Sequence, residues 1–276
     1  MSFTSVISFP GLGIGEFTIN SVAFTLFGRP VAWYGIIITV GIILSTLYAF
    51  YRASQNEGIL IDHMYDYAIF IIVSGVLGAR LYYVLTSSHS YDSFYEAIAI
   101  WEGGLAIYGG IIGGALAIFA VSWYKNINPL KILDAVGPAT MIGQSIGRWG
   151  NFMNGEAHGG VTDLPWRMGL VRNGWDMGYV HPTFLYESLW NIVGFLAINA
   201  FYKHKQYDGQ TVLLYLTWYG LGRAAIEGLR TDSLYIGPFR VSQVLGLVCF
   251  AAGLTTLIVC GVLHHKHKKT TDEVEK

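Results

Sequence analysis

Seven stretches of the chain are apolar over about the length that a helix needs to cross a bilayer, roughly 20 residues at ~1.5 Å each. They cover residues 31–51, 64–85, 104–124, 132–146, 182–202, 211–226 and 241–263. The fourth and sixth are the shortest and carry polar residues. Of the 276 residues, 53% are hydrophobic and 13% are charged, whereas soluble domains carry roughly 25% charged residues. The pattern predicts an all-α integral membrane protein of seven transmembrane helices, a single membrane domain over 1–276.

Seven spans put the two ends on opposite sides, and lysine placement says which is which, because cytoplasmic loops beside spans accumulate positive charge. Lys125 and Lys131 follow the third span, Lys203 and Lys205 the fifth, and Lys266, Lys268, Lys269 and Lys276 the seventh. The amino terminus is therefore expected outside and the carboxyl terminus inside, with 264–276 as a cytoplasmic tail. The first thirty residues lack a charged segment followed by an apolar one, so no cleaved signal peptide is expected; Phe17, Ile19, Val22, Phe24 and Leu26 alternate loosely, as in an extended lead-in. The other face has no lysine but keeps Arg29, Arg148, Arg167, Arg172, Arg223, Arg230 and Arg240. Arginine there suits a ligand that matches the guanidinium fork, such as phosphate.

Two connections stand out. Residues 87–103 carry Asp92, Glu96 and Glu102, with Phe94, Tyr95, Ile98 and Trp101 at helical spacing. They read as an interfacial amphipathic arm, either an anchor or a grip on substrate. Residues 147–181 are too long for a turn and are expected to form a small extracytoplasmic head. Gly109, Gly110, Gly113 and Gly114 form overlapping small-residue pairs suited to close helix contact. Cys249 and Cys260 lie eleven residues apart in one apolar span and cannot be bridged.

Ionisable groups within spans are functional candidates by default, and here they gather at one end. Arg80 sits in the outer third of the second span and Tyr108 about one turn into the third. Arg148 and Asn151 leave the fourth, His181, Tyr186 and Glu187 open the fifth, Arg223 and Glu227 close the sixth, and Tyr34 begins the first. A bundle would gather these ends into one polar pocket. Arg223 and Glu227, four apart, share a helix face and form either a structural ion pair or part of a site. Asp66 and Asp134 fall at the opposite end and read as structural.

The most informative polar stretch is the cationic, amide-rich and glycine-rich run Gly147-Arg148-Trp149-Gly150-Asn151-Phe152-Met153-Asn154-Gly155-Glu156-Ala157-His158-Gly159. Its arginine can hold phosphate bidentately, Asn151 and Asn154 add neutral donors, Glu156 can orient the arginine or accept a proton, and the glycines admit close approach of backbone to ligand. A polar loop capping a helix is the plainer reading. In order, the stretch resembles the pattern G-R-x-G-N-F-x-N-x-E-x-x-G of the prolipoprotein diacylglyceryl transferases. Trp33-Tyr34-Gly35, Gly78-Ala79-Arg80, Trp101-Glu102-Gly103-Gly104, His181 to Glu187, and Arg223 with Glu227 and Arg230 are similar to further elements of that family, so the resemblance covers nearly the whole chain.

The resemblance implies a bacterial cytoplasmic-membrane enzyme that moves the diacylglyceryl group of phosphatidylglycerol to the thiol of the lipobox cysteine in a prolipoprotein signal peptide, releasing glycerol phosphate. Arg148, Arg223, Glu227 and Tyr108 are the expected catalytic residues. Arg148, Asn151, Asn154, Glu156, Tyr34, Arg80 and His181 are the expected substrate-binding residues. Tyr108 stands where the family often has histidine, which argues against a scheme with an essential histidine base at that position. No cofactor, no metal and no nucleic acid is expected. A lipid or solute transporter is the competing class, and it would want internal repeats and a midplane site; a metal-dependent headgroup transferase would want clustered aspartates.

Overall fold

The computed structural model describes residues 3–87, 91 and 93–274. Asp92 of the expected arm and Lys276 of the expected tail lie outside the described residues, as does the Glu102 side chain. The chain is mostly helical. Strands β1 (Thr4–Phe9), β2 (Ile14–Asn20), β3 (Val22–Leu26) and β4 (Arg29–Ala32) precede helices α1 (Trp33–Asn56), α2 (Ile61–Thr86), α3 (Phe94–Ile98), α4 (Ile107–Lys125) and α5 (Pro129–Met153). Then follow β5 (Met168–Arg172), β6 (Trp175–Val180), α6 (Thr183–Phe201), α7 (Gln210–Glu227), β7 (Tyr235–Ile236), β8 (Phe239–Arg240) and α8 (Val241–Val274).

A long helix lies at each of the seven expected places. Among the described residues, five helical stretches are long and apolar enough to cross a membrane: Trp33–Asn56, Ile61–Thr86, Ile107–Lys125, Thr183–His204 and Val241–Thr270. Their exposed side chains include Ile42, Leu47, Ile69, Phe70, Leu116, Leu196 and Val248. Apolar exposure on this scale suits hydrocarbon as the solvent, and the chain fits a multi-pass membrane protein. α5 and α7 fall short of the same apolarity because they carry Gln144, Arg148, Asn151, Arg223 and Glu227.

The strands are a feature that the all-α reading lacks. β2, β1, β5 and β6 form a four-stranded antiparallel sheet, with Val6 opposite both Thr18 and Val171. The expected head over 147–181 is thus completed by β1 and β2, and its own first turns, to Met153, continue α5. One face of the sheet buries Ile7, Met168, Leu170 and Val180 against Phe184 of α6, with Phe152 of α5 at the margin. The expected tail likewise begins as helix, since α8 runs to Val274.

Two compact units result, Met1–Tyr48 with Val136–Lys276, and Ala49–Ala135. In the first, α6 and α7 are joined by Trp190 and Trp218, whose rings stack at 4.5 Å while each indole N–H donates to the other's carbonyl, at 3.0 and 2.9 Å. In the second, α2 and α4 meet backbone to backbone, and a β-carbon at Gly113 would come within 2.2 Å of the Ser74 carbonyl oxygen. This is the close packing that small residues permit. Asp66 pairs with Lys125 at 2.6 Å, a structural part at the ends of those helices.

Among the described residues the arm folds as the short helix α3, capped by Ser93 Oγ accepting from the Glu96 N–H at 3.2 Å, and a 3-10 turn over Ile100–Glu102. Phe94, Tyr95 and Trp101 are exposed on it. Arg80, expected as a substrate contact, has a supporting part here. Its Nε donates to Ala97 O and its Nη2 to Glu96 O, both at 2.7 Å, and its Nη1 donates to Gly103 O and Gly104 O at 2.7 and 3.2 Å. A buried guanidinium needs acceptors, and three carbonyls of the arm with that of Gly104 supply them.

Candidate active site

The site grows from two helix ends and the loop between them. α5 presents Arg148 and Asn151 in its last turns, and the chain then reverses through Gly155 and Ala157, both at positive φ (60° and 56°). At Gly155 the left-handed backbone and the nearby Ser5 hydroxyl, 2.4 Å from where a β-carbon would stand, both call for glycine. The reversal brings Glu156 under the end of its own helix. Its Oε1 accepts from Asn151 Nδ2 at 2.9 Å and from Asn154 Nδ2 at 3.2 Å, while Arg148 Nη1 reaches Asn151 Oδ1 at 3.4 Å. Glu156 therefore orients Arg148 through an asparagine. Gly150 seats the Tyr34 ring, whose Cδ2 lies 2.9 Å from where a β-carbon would stand.

The centre of the cluster is Glu187, one turn into α6 and 6% exposed. Among the described residues three guanidinium groups converge on it: Arg148 Nη2 pairs with Oε2, Arg223 Nη1 lies 3.2 Å from both carboxylate oxygens, and Arg230 Nη1 is 3.5 Å from Oε1. Arg223 also pairs with Glu227, 2% exposed, at 2.7 Å through Nη2. A buried carboxylate without such partners would be strongly unfavourable. With them, guanidinium groups from α5, α7 and the segment after α7 are held at mutual distances that their own repulsion would forbid.

The outer wall is the segment after α7. Arg230 forms an antiparallel bridge with Gly159, and the Gly160 N–H donates to Leu229 O at 2.9 Å. A β-carbon at Gly159 would stand 2.7 Å from His181 Cβ and 2.9 Å from Leu229 O, so the last glycine of the stretch lets the two segments close. Burial pushes the Arg230 guanidinium pKa down, but the hydrogen bond and charge of Asp232, with Glu187 and Glu227, outweigh it and raise it. Burial also pushes the Asp232 carboxyl up, but Arg230 holds it below the ordinary carboxylate range.

Of the expected residues, Arg148, Asn151, Asn154, Glu156, Arg223 and Glu227 come together in one network, and Tyr34 lies over Gly150. His181 is on the adjoining strand end, its Nδ1 3.2 Å from Tyr186 Oη, which also accepts from Trp166 Nε1 at 2.8 Å. Arg80 and Tyr108 belong to the other compact unit; there the Tyr108 ring neighbours that of Tyr82 at 6.3 Å. Glu187 was placed in the expected polar pocket and Arg230 beside a family element, but neither was among the expected catalytic or substrate-binding residues. Glu187 had a signal, a carboxylate inside an apolar stretch, and Arg230 had only its place near Glu227.

A family model described as prolipoprotein diacylglyceryl transferase matches residues 21–259. A phosphatidylglycerol–prolipoprotein diacylglyceryl transferase of Clostridioides difficile is 44% identical over 255 residues, 92% of this chain and 99% of the relative. Relatives bearing the same description from Finegoldia magna and Streptococcus uberis are 42% and 39% identical, over 91% and 87% of this chain and 96% and 95% of their own. With a match that spans most of its length and relatives covered nearly end to end, the chain belongs to the prolipoprotein diacylglyceryl transferase family.

Proposed function

We propose that the chain is a transferase that moves the diacylglyceryl group of phosphatidylglycerol to the thiol of a prolipoprotein cysteine, the first step of lipoprotein maturation. The observation that carries this reading is the convergence of Arg148, Arg223 and Arg230 on Glu187. The names of the relatives support the same substrates. The cysteine is that of the lipobox of a signal peptide, and the protein resides in the cytoplasmic membrane of a bacterium. Seven helices span it, with the sheet-bearing head and the arm outside and the tail after residue 264 inside.

In the reaction the thiolate attacks the glycerol carbon that bears the phosphate, the C–S bond forms, the C–O bond breaks, and the electron pair leaves with glycerol phosphate. The thiol proton passes to a base or to water. Negative charge grows on the departing phosphate ester, and fixed guanidinium groups aimed at it stabilise the transition state more than the ground state. Arg148, at 22% the most exposed of the three side chains, meets the phosphate with Arg223, while Glu187 and Glu227 pin them from behind. Asn151, Asn154, Tyr34 and His181 line the substrate's approach. Positive charge also favours the thiolate over a thiol whose ordinary pKa is ~8.5. The leaving group is already activated, so the chemistry requires neither metal nor organic cofactor.

The test is to incubate the purified protein with phosphatidylglycerol vesicles and a lipobox peptide and to seek a diacylglyceryl adduct on cysteine by mass spectrometry. Adduct formation is expected, and Arg148→Lys loses about a hundredfold or more in rate, because an ammonium cannot reproduce the bidentate grip. No adduct with the wild type, or full activity in Arg148→Lys, overturns the reading.

A further inference from the structure

Asp232 lies outside the glycine-rich stretch and outside every long helix, and its side chain is 48% exposed. Its carboxylate nevertheless grips Arg230 along one edge, with Nε donating to Oδ1 and Nη2 to Oδ2, each at 2.9 Å. A fork on a carboxylate fixes the plane of the guanidinium as well as its position. The main chain beneath is held separately, by the bridge to Gly159 and by Thr231 Oγ1 donating to His158 O at 3.3 Å. One edge of Arg230 is thereby committed outward, and Nη1 is left facing Glu187 at 3.5 Å.

That distance matters. At 3.5 Å Arg230 contributes charge to Glu187 without drawing the carboxylate out of its contacts with Arg148 and Arg223. Without the outer anion, the nearest carboxylate to Arg230 is Glu187, and a guanidinium released from Asp232 closes on it. Oε1 is the oxygen shared with Arg223 Nη1, so Arg223 loses its seat first. We infer that Asp232 is a positioning residue for the transfer: through Arg230 it sets Glu187, and through Glu187 the guanidinium groups that take the phosphate.

The inference rests on the reading of Arg148 and Arg223 as phosphate ligands. Its test is steady-state transfer from phosphatidylglycerol vesicles to a lipobox peptide by Asp232→Asn, Asp232→Glu, Arg230→Gln and the Asp232→Asn/Arg230→Gln double variant. An ion pair with a half-exposed carboxylate adds little to stability on its own, so Asp232→Asn is expected to insert and melt as the wild type does. Its KM for phosphatidylglycerol stays within about twofold, since the charges that attract the lipid remain, and its kcat falls about tenfold, because a small misplacement of reacting groups is felt mainly in the transition state. Asp232→Glu, which keeps two acceptor oxygens, recovers part of that loss. In the Arg230→Gln background, Asp232→Asn has no further effect.

Full kcat in Asp232→Asn, or an equal loss in the presence and absence of Arg230, overturns the inference and leaves the phosphate reading intact. A wild-type protein with no transfer, or an Arg148→Lys variant with full activity, overturns the phosphate reading and this inference with it.

Discussion

A carboxylate one turn into an apolar helix persists only if its charge is met, and at Glu187 it is met from three directions. Arg223 joins the two buried carboxylates, with Nη1 on Glu187 and Nη2 on Glu227. Arg223 and Glu227 therefore act as one unit. Alanine at either position is expected to cost most of the activity, and the double variant should lose much less than the two effects summed; additive losses in the transfer assay would separate them. Tyr108 poses a different question, because its ring neighbours Tyr82 and its hydroxyl is the only part that can serve the chemistry. Tyr108→Phe removes that hydroxyl and keeps the ring, so a hydrogen bond to phosphate or thiol predicts a fall of about ten- to a thousandfold in turnover at unchanged expression. Unchanged turnover would leave Tyr108 as packing and move the search for a base to Glu156, His181 and Glu227. The pair Arg223–Glu227 was legible in the sequence because helical spacing alone brings it together. Glu187 was legible as a member of the pocket but not as its centre, because its partners sit 36 to 43 residues away on separate elements.

Elements show the same division between local and distant information. A helix in hydrocarbon satisfies its own backbone and announces itself by about 20 apolar residues, so α1, α2, α4, α6 and α8 lie where hydropathy puts them. The two weakest stretches, α5 and α7, are weak for a reason: their polar ends build the site. Strands carry no such signal. β1 pairs with β5 across more than 150 residues, with Ser5 opposite Arg172, and the lead-in showed only loose alternation. The bridge between Gly159 and Arg230 is equally invisible locally, yet it joins the glycine-rich stretch to the end of α7. Gly159→Ala forces a methyl group against His181 Cβ and Leu229 O. Overpacking of this kind typically costs about 1–3 kcal/mol. A lowered melting temperature in detergent together with lost transfer is the expected outcome, and an alanine variant of normal stability and activity would show that the bridge can widen without consequence.

At the scale of the whole molecule, the lysines and the arginines of the site lie at different helix ends. Lys125 ends α4, Lys203 and Lys205 follow α6, and Lys266, Lys268 and Lys269 lie in the last turns of α8. The site arginines lie at the opposite ends of α5 and α7. Lysine at a cytoplasmic boundary holds a chain in orientation, whereas the site arginines are committed to carboxylates. In the proposed topology the head, with its sheet and its arginine cluster, lies outside the cell, where a secreted precursor would present its cysteine. Orientation is testable without reference to activity. Cys249 and Cys260 are free thiols of α8, so replacing both with serine should preserve transfer and give a background for labelling. In that background Phe27→Cys, at the fully exposed turn between β3 and β4, should react with a membrane-impermeant maleimide in intact cells. His204→Cys, exposed beside Lys203 and Lys205, should react only after the membrane is opened. The reverse pattern would invert the topology and put the arginine cluster on the side that a secreted cysteine has already left.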